Sequence, residues 1–212
     1  MLALLLAVTL ATPLPTNPPV CVKYYHDACS EALGEWLPGF GFSSDFWDVA
    51  RRISQRDTFV YKGEHTAPAE VFGTTGPGDG TFFVYGDAGP PRGHVVYDYE
   101  HHITFYEQGC CSWQDVVLAY ASPPPKPVVQ RNLMGLHTER GIYLDMSMRQ
   151  VTRIYGVSKL QPIAHQDNMY VLAYTTWPPR KDVRVVRMPC GQFENFYFRN
   201  DRLVLIQLGN GC

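Results

Sequence analysis

The chain lacks any run of lysine and arginine, and its formal net charge is only -2. It therefore has no electrostatic footprint for holding a phosphate backbone or anionic lipid, and no nucleic-acid partner is expected. Its N-terminal apolar run, residues 2 to 11, falls far short of the roughly 20 residues a membrane-crossing helix needs. No membrane span is expected. Three local signatures of catalysis are missing as well. There is no His-Glu-x-x-His pair, no Gly-x-Ser-x-Gly elbow around Ser112, and no Lys-Ser/Thr after the glycines of 76 to 80. Zinc-protease, serine-hydrolase and phosphate-loop chemistry thus leave no mark, and neither cofactor nor metal is expected.

What is present is enough apolar matter for a real core: 212 residues, 45% hydrophobic and 13% aromatic. That length fits one large or two small domains. Residues 1 to 11 read as a signal-like segment, with Thr9-Leu10-Ala11 offering small residues for cleavage, although no basic residue follows Met1. Asn17-Pro-Pro-Val20 before Cys21 is not a lipoprotein cleavage box, so lipid anchoring is not expected. Six cysteines remain beyond that segment: Cys21, Cys29, Cys110, Cys111, Cys190 and Cys212. In an exported chain an even number favours disulfides, and export to the periplasm or the extracellular space is the expectation.

One pairing follows from register. If Arg199-Asn-Asp-Arg202 turns a hairpin, antiparallel partners have numbers summing to about 402, so Phe198 meets Val204, Phe196 meets Ile206, and Cys190 falls opposite Cys212. Neighbouring Cα atoms lie about 3.8 Å apart, too close for an ordinary bridge between Cys110 and Cys111. Those two are expected to reach Cys21 and Cys29, in an order the sequence leaves open.

The clearest local signal is Gly141-Ile-Tyr-Leu-Asp-Met-Ser-Met-Arg-Gln-Val-Thr-Arg-Ile-Tyr-Gly156, which reads as a short strand, a capped helix and a stop. Ser147 and Gln150 form a capping box; Val151, Ile154 and Tyr155 form an apolar stripe; Gly156 ends the helix. Before it, residues 12 to 43 read as a Pro-rich leader and a first helix over 26 to 37. A second helix is expected over 44 to 56, capped by Ser44 or Asp45, with Phe46, Val49, Ala50 and Ile53 as its stripe. Strands are expected over 58–62, 81–85, 94–97 and 103–108, and after the helix over 169–175, 183–188, 193–198 and 203–208. The prolines of 121 to 136 mark a connector.

The halves echo each other. Val71-Phe-Gly73, Tyr85, Pro90-Pro91 and Gln108-Gly-Cys110 recur in order as Ile154-Tyr-Gly156, Tyr174, Pro178-Pro179 and Gln207 with Gly211-Cys212. The expected fold class is therefore α+β: two similar modules, 44–120 and 137–212, each a short helical segment on an antiparallel meander. With the string from Thr138 to Gly156 followed by a meander closing on glycine and cysteine, the chain resembles the outer-membrane assembly lipoproteins of the SmpA/OmlA type and the secreted beta-lactamase inhibitor proteins. The resemblance covers residues 137 to 212 and extends to 44 to 111. It implies binding rather than catalysis. No inhibitor contact residue maps onto this chain, so beta-lactamase inhibition is not carried over.

Candidate contact residues come from the face opposite the expected disulfide: Asn195, Tyr197, Leu205 and Gln207, with Tyr106 and Gln108 in the first half and Trp177 nearby. Exposed tyrosine and tryptophan with adaptable amides suit a protein interface, so another protein is the expected partner. The competing reading is a secreted hydrolase or metal-dependent enzyme centred on His94, Glu100, His101 and His102, whose imidazoles and carboxylate would act as ligands or bases. A third is a structural part of an envelope assembly.

Overall fold

The computed structural model describes residues 50–61, 64–65, 81–83, 92–110, 113–123, 129–163, 168–176 and 191–211. Its organising hairpin is local chemistry. Asn200 and Asp201 both adopt positive φ, 50° and 61°, the pair of left-handed residues a two-residue turn needs to match strand twist. They join β12 (Gly191–Arg199) to β13 (Arg202–Gly211). Phe198 faces Leu203, not the expected Val204, because a bulge between Tyr197 and Phe198 shifts the register by one; beyond it Phe196 meets Ile206 and Gly191 meets Gly211. The ladder ends one position short of Cys190 and Cys212, which lie outside the described residues, as do Cys21, Cys29 and Cys111.

The other strands extend this hairpin into one mixed sheet of ten strands among the described residues. On one side lies β11 (Met169–Thr175), edged by β10 (Leu160–Pro162) and, in parallel, by β1 (Arg51–Arg52). On the other lie β7 (Trp113–Tyr120), β6 (Ile103–Cys110), β5 (Arg92–Asp98) and β4 (Thr81–Phe83), with β8 (Val129–Gln130) parallel to β5. The smaller sheet orders β3 (Glu64–His65), β2 (Phe59–Tyr61) and β9 (His137–Thr138).

The expected two-module architecture is thus corrected. β7, which no expected strand covers, pairs with both β6 and β13 and fuses the two halves into a single sheet. The second helix expected over 44–56 is also corrected at its described end, where Arg51 and Arg52 form a strand against Tyr174 and Thr175. The short strand expected at the start of the 141–156 stretch is absent; residues 139–146 are turns and coil.

The helix itself, α1 (Met148–Tyr155), forms as expected: Gln150 N–H donates to Ser147 Oγ while Ser147 N–H donates to Gln150 Oε1. Gly156 stops it at φ 81° and ψ 167°, a region open essentially to glycine alone. Of the stripe, Val151 and Tyr155 are buried and Ile154 is exposed. They pack, with Phe59 and the apolar residues of 133–146, on the sheet face of Phe105, Leu118, Leu172, Phe196 and Ile206. Each such side chain contributes on the order of 1.5–3 kcal/mol of burial. No described helix is long and apolar enough to cross a membrane.

Candidate functional site

The register does gather most of the expected contact residues. Ala173, Asn195, Gln207, Val117 and Tyr106 form one row across five strands, and Gln108 sits in a neighbouring row beside Asp115. They share one face of one sheet rather than two. That face is not open, however: Asn195, Tyr197, Leu205 and Gln207 are each 4% exposed or less. Asn195 Nδ2 and Tyr197 Oη both donate to Gln207 Oε1, at 3.1 and 3.0 Å. These groups bond each other inside the protein, and the expectation that they meet a partner is corrected. Trp177 lies outside the described residues.

The histidine constellation is split. His94 sits within β5 opposite Glu107 and Thr81. At a strand's rise it is roughly 13 Å along the chain from Asp98, where the turn begins. Glu100, His101 and His102 occupy that turn between β5 and β6. Its lock is Asp98, which the sequence places in the turn without showing what it holds. The buried Asp98 Oδ1 accepts the N–H groups of Glu100 and His101, both at 3.1 Å, while Oδ2 accepts Leu133 N–H at 2.8 Å and His101 Nδ1 at 2.9 Å. Burial alone would raise the Asp98 pKa, but the Leu133 and His101 donors outweigh it and hold the carboxyl below its usual range. Because the carboxylate only accepts, a proton of His101 sits on Nδ1 in this pair.

The neighbouring Tyr97 is equally fixed. It donates to Ala121 O at 2.8 Å and stands 3.3 Å from His102 Nδ1. Burial, with the Tyr99 and Asp98 charges adding, pushes its hydroxyl up to about 12, so it remains a donor. The exposed Tyr99 ring rests edge-on against Tyr97 with centroids 4.7 Å apart. Around this end of the sheet stand three more large apolar side chains. Met134 follows Leu133, Tyr143 lies two residues before Asp145, which Tyr120 Oη binds at 2.6 Å, and Tyr170 faces Phe198 beside the second hairpin turn. Together with Tyr99 they are between 37% and 55% exposed.

A second polar cluster lies inside, where the large sheet, the small sheet and α1 meet. Glu194, fully buried on β12, accepts the Asp57 N–H on Oε1 at 2.7 Å, and its Oε2 has no hydrogen-bond partner. Asp57, just before β2, takes Tyr155 Oη on Oδ2 at 2.6 Å and Arg140 Nε at 3.2 Å on Oδ1. The Arg140 guanidinium also reaches Glu194 at 4.0 Å and lies 4.8 Å over the Tyr155 ring. Burial drives the Tyr155 hydroxyl well above its ordinary range. Sequence reasoning gave none of the four a place in a polar cluster, Tyr155 being read only as part of the helix's apolar stripe, yet one signal was available: Glu194 shares the alternation of Phe196 and Phe198, a charge at a core position.

Among the described residues no three metal-ligating side chains gather in one place. No protein-family profile, curated protein or solved structure matches the chain.

Proposed function

We propose that the chain is an exported, non-enzymatic protein-binding or inhibitory protein, and that it meets its partner through the turn locked by Asp98, with Tyr99 at its tip. One observation carries this reading: four hydrogen bonds to a single buried carboxylate hold the turn in shape before any partner arrives. A preordered loop loses little conformational entropy on binding, so more of its contact energy appears as affinity. Tyr99, 40% exposed, supplies broad amphipathic area with few rotors. The partner is a protein with an apolar cleft able to seat a tyrosine ring. To test it, the oxidised full chain is immobilised and offered the secreted and envelope proteins of its source. One protein retained by the wild type and released by Tyr99→Ala supports the reading; equal retention by both contradicts it.

A second reading rests on the Asp98–His101 pair, since an imidazole oriented by a buried carboxylate is one half of a general-base arrangement. It requires a reacting group within reach of His101 Nε2. Hydrolysis of an ester or peptide probe that disappears in His101→Asn, with Tyr99→Ala still active, would favour that enzyme over the binding protein.

A further inference from the structure

The joint between the two sheets has too many acids for its bases. Glu194 comes from the large sheet, Asp57 and Arg140 flank the strands β2 and β9 of the small one, and Tyr155 ends the helix. Every hydrogen bond found within the cluster that can neutralise a carboxylate by charge runs to Asp57: Arg140 Nε at 3.2 Å, reinforced by its backbone N–H at 3.1 Å. Glu194 receives one backbone N–H on Oε1 and a guanidinium contact at 4.0 Å, too long for a hydrogen bond. Its Oε2 makes no hydrogen bond of its own; the Tyr155 hydroxyl beside it favours the charged form, but its proton is given to Asp57 at 2.6 Å. On the adjacent strand its register partner is Tyr174, whose hydroxyl is turned to Gly156 O at 2.8 Å, and on the other side it faces the apolar Leu208. Arg51 of β1 is bonded to Val157 O and bears on Tyr174, not on Glu194.

An ionised carboxylate in that position would be a second buried negative charge drawing on Arg140, which already serves Asp57, and a buried group without full compensation takes up a proton instead. We infer that Glu194 is a proton-operated latch: protonated, it lets Asp57 and the small sheet seat on the large sheet, and on losing its proton it loosens that joint. The direction of its titration agrees with the geometry. Burial raises its carboxyl from 4.5 to about 7, with the Asp57 charge adding to the rise and Tyr155, the Asp57 N–H and Arg140 opposing it. The closed joint therefore holds the proton more tightly than the open one. Closure is strongest below pH 4.5, weakens as pH climbs towards about 7, and changes no further above that. Across that window opening should rise by up to about tenfold per pH unit.

The test uses the full oxidised chain and hydrogen exchange at the amides of residues 57–61 and 137–142, corrected for the intrinsic pH dependence of exchange. Protection at these amides is expected to fall at least tenfold between pH 5 and pH 7, while that of β12 and β13 at the far hairpin turn stays level. Glu194→Gln, which keeps the shape and removes the titration, should abolish the dependence. An identical pH profile in Glu194→Gln overturns the latch. If that variant does not fold, carbon-13 titration of glutamate carboxyls in the wild type decides: one carboxyl with a midpoint near neutrality supports it, and all glutamates titrating below pH 5 overturns it.

Discussion

The backbone N–H of Asp57 donates to Glu194 Oε1 at 2.7 Å, linking residues 137 apart in sequence and tying the small sheet to the large one. The bond is charge-assisted only when Glu194 is ionised, and the Arg140 guanidinium, 4.0 Å from Glu194, is engaged mainly with Asp57. Cohesion at this point therefore depends on Arg140 more than its partly exposed position suggests.

Removing that cation strands two buried carboxyls. Arg140→Ala is expected to lower the unfolding free energy by about 2–4 kcal/mol in urea titration at pH 7, and by less at pH 5, where Glu194 is protonated. A loss under about 0.5 kcal/mol, the scale of an ordinary surface pair, would show that the cluster is not a joint.

Tyr197 separates the buried face from an exposed one. With its ring 1% exposed and its hydroxyl on Gln207, Tyr197→Ala should cost about 3–5 kcal/mol and Tyr197→Phe about 0.5–1.5 kcal/mol. Neither should alter partner binding at temperatures where both remain folded. A near-neutral Tyr197→Ala would return this face to solvent.

Asp98 predicts acid sensitivity of the turn. A carboxyl held below its unfolded value of 3.8 contributes stability that is present above that pH and lost as pH falls through its folded pKa. Exchange protection of the Leu133 and His101 amides should therefore collapse only in strong acid. Asp98→Asn should remove that acid transition and cost about 1–3 kcal/mol; an unchanged acid profile would mean the carboxylate does not lock the turn.

The ladder of β12 and β13 carries a prediction about sulfur. Gly191 pairs with Gly211, the register from which the sequence predicts a bond between Cys190 and Cys212, both outside the described residues. Proteolysis of the unreduced protein should yield one peptide joining them, and recovery of both as free thiols would contradict the pairing.

These expectations show where the sequence was readable. Ser147, Gln150 and Gly156 act within a few residues of one another, so cap and stop could be read directly. The hairpin register was off by one only where a bulge at Tyr197 and Phe198 intervened. What escaped was non-local. The segment Val116-Val-Leu-Ala119 is buried on both faces, which erases the alternation that marks a half-exposed strand. Without β7 the two halves look like separate modules, and its pairing with β13 is what joins them. The same double burial explains the misplaced contact face. Asn195 and Gln207 look like surface amides by type, yet Asn195 Nδ2 donates to Gln207 Oε1 inside the protein. Asp98 could be placed in a turn, but its bond to Leu133 was hidden because that partner lies 35 residues away.

The most direct test of the binding account is photo-crosslinking from the turn itself. A benzophenone amino acid is placed at position 99 of the oxidised full chain and, in a separate protein, at exposed position 157, and each is irradiated with the secreted and envelope proteins of the source. The account predicts one discrete adduct from position 99 that the unlabelled wild type competes away, and none from position 157. No competable adduct at 99, or the same adduct from both positions, would contradict it.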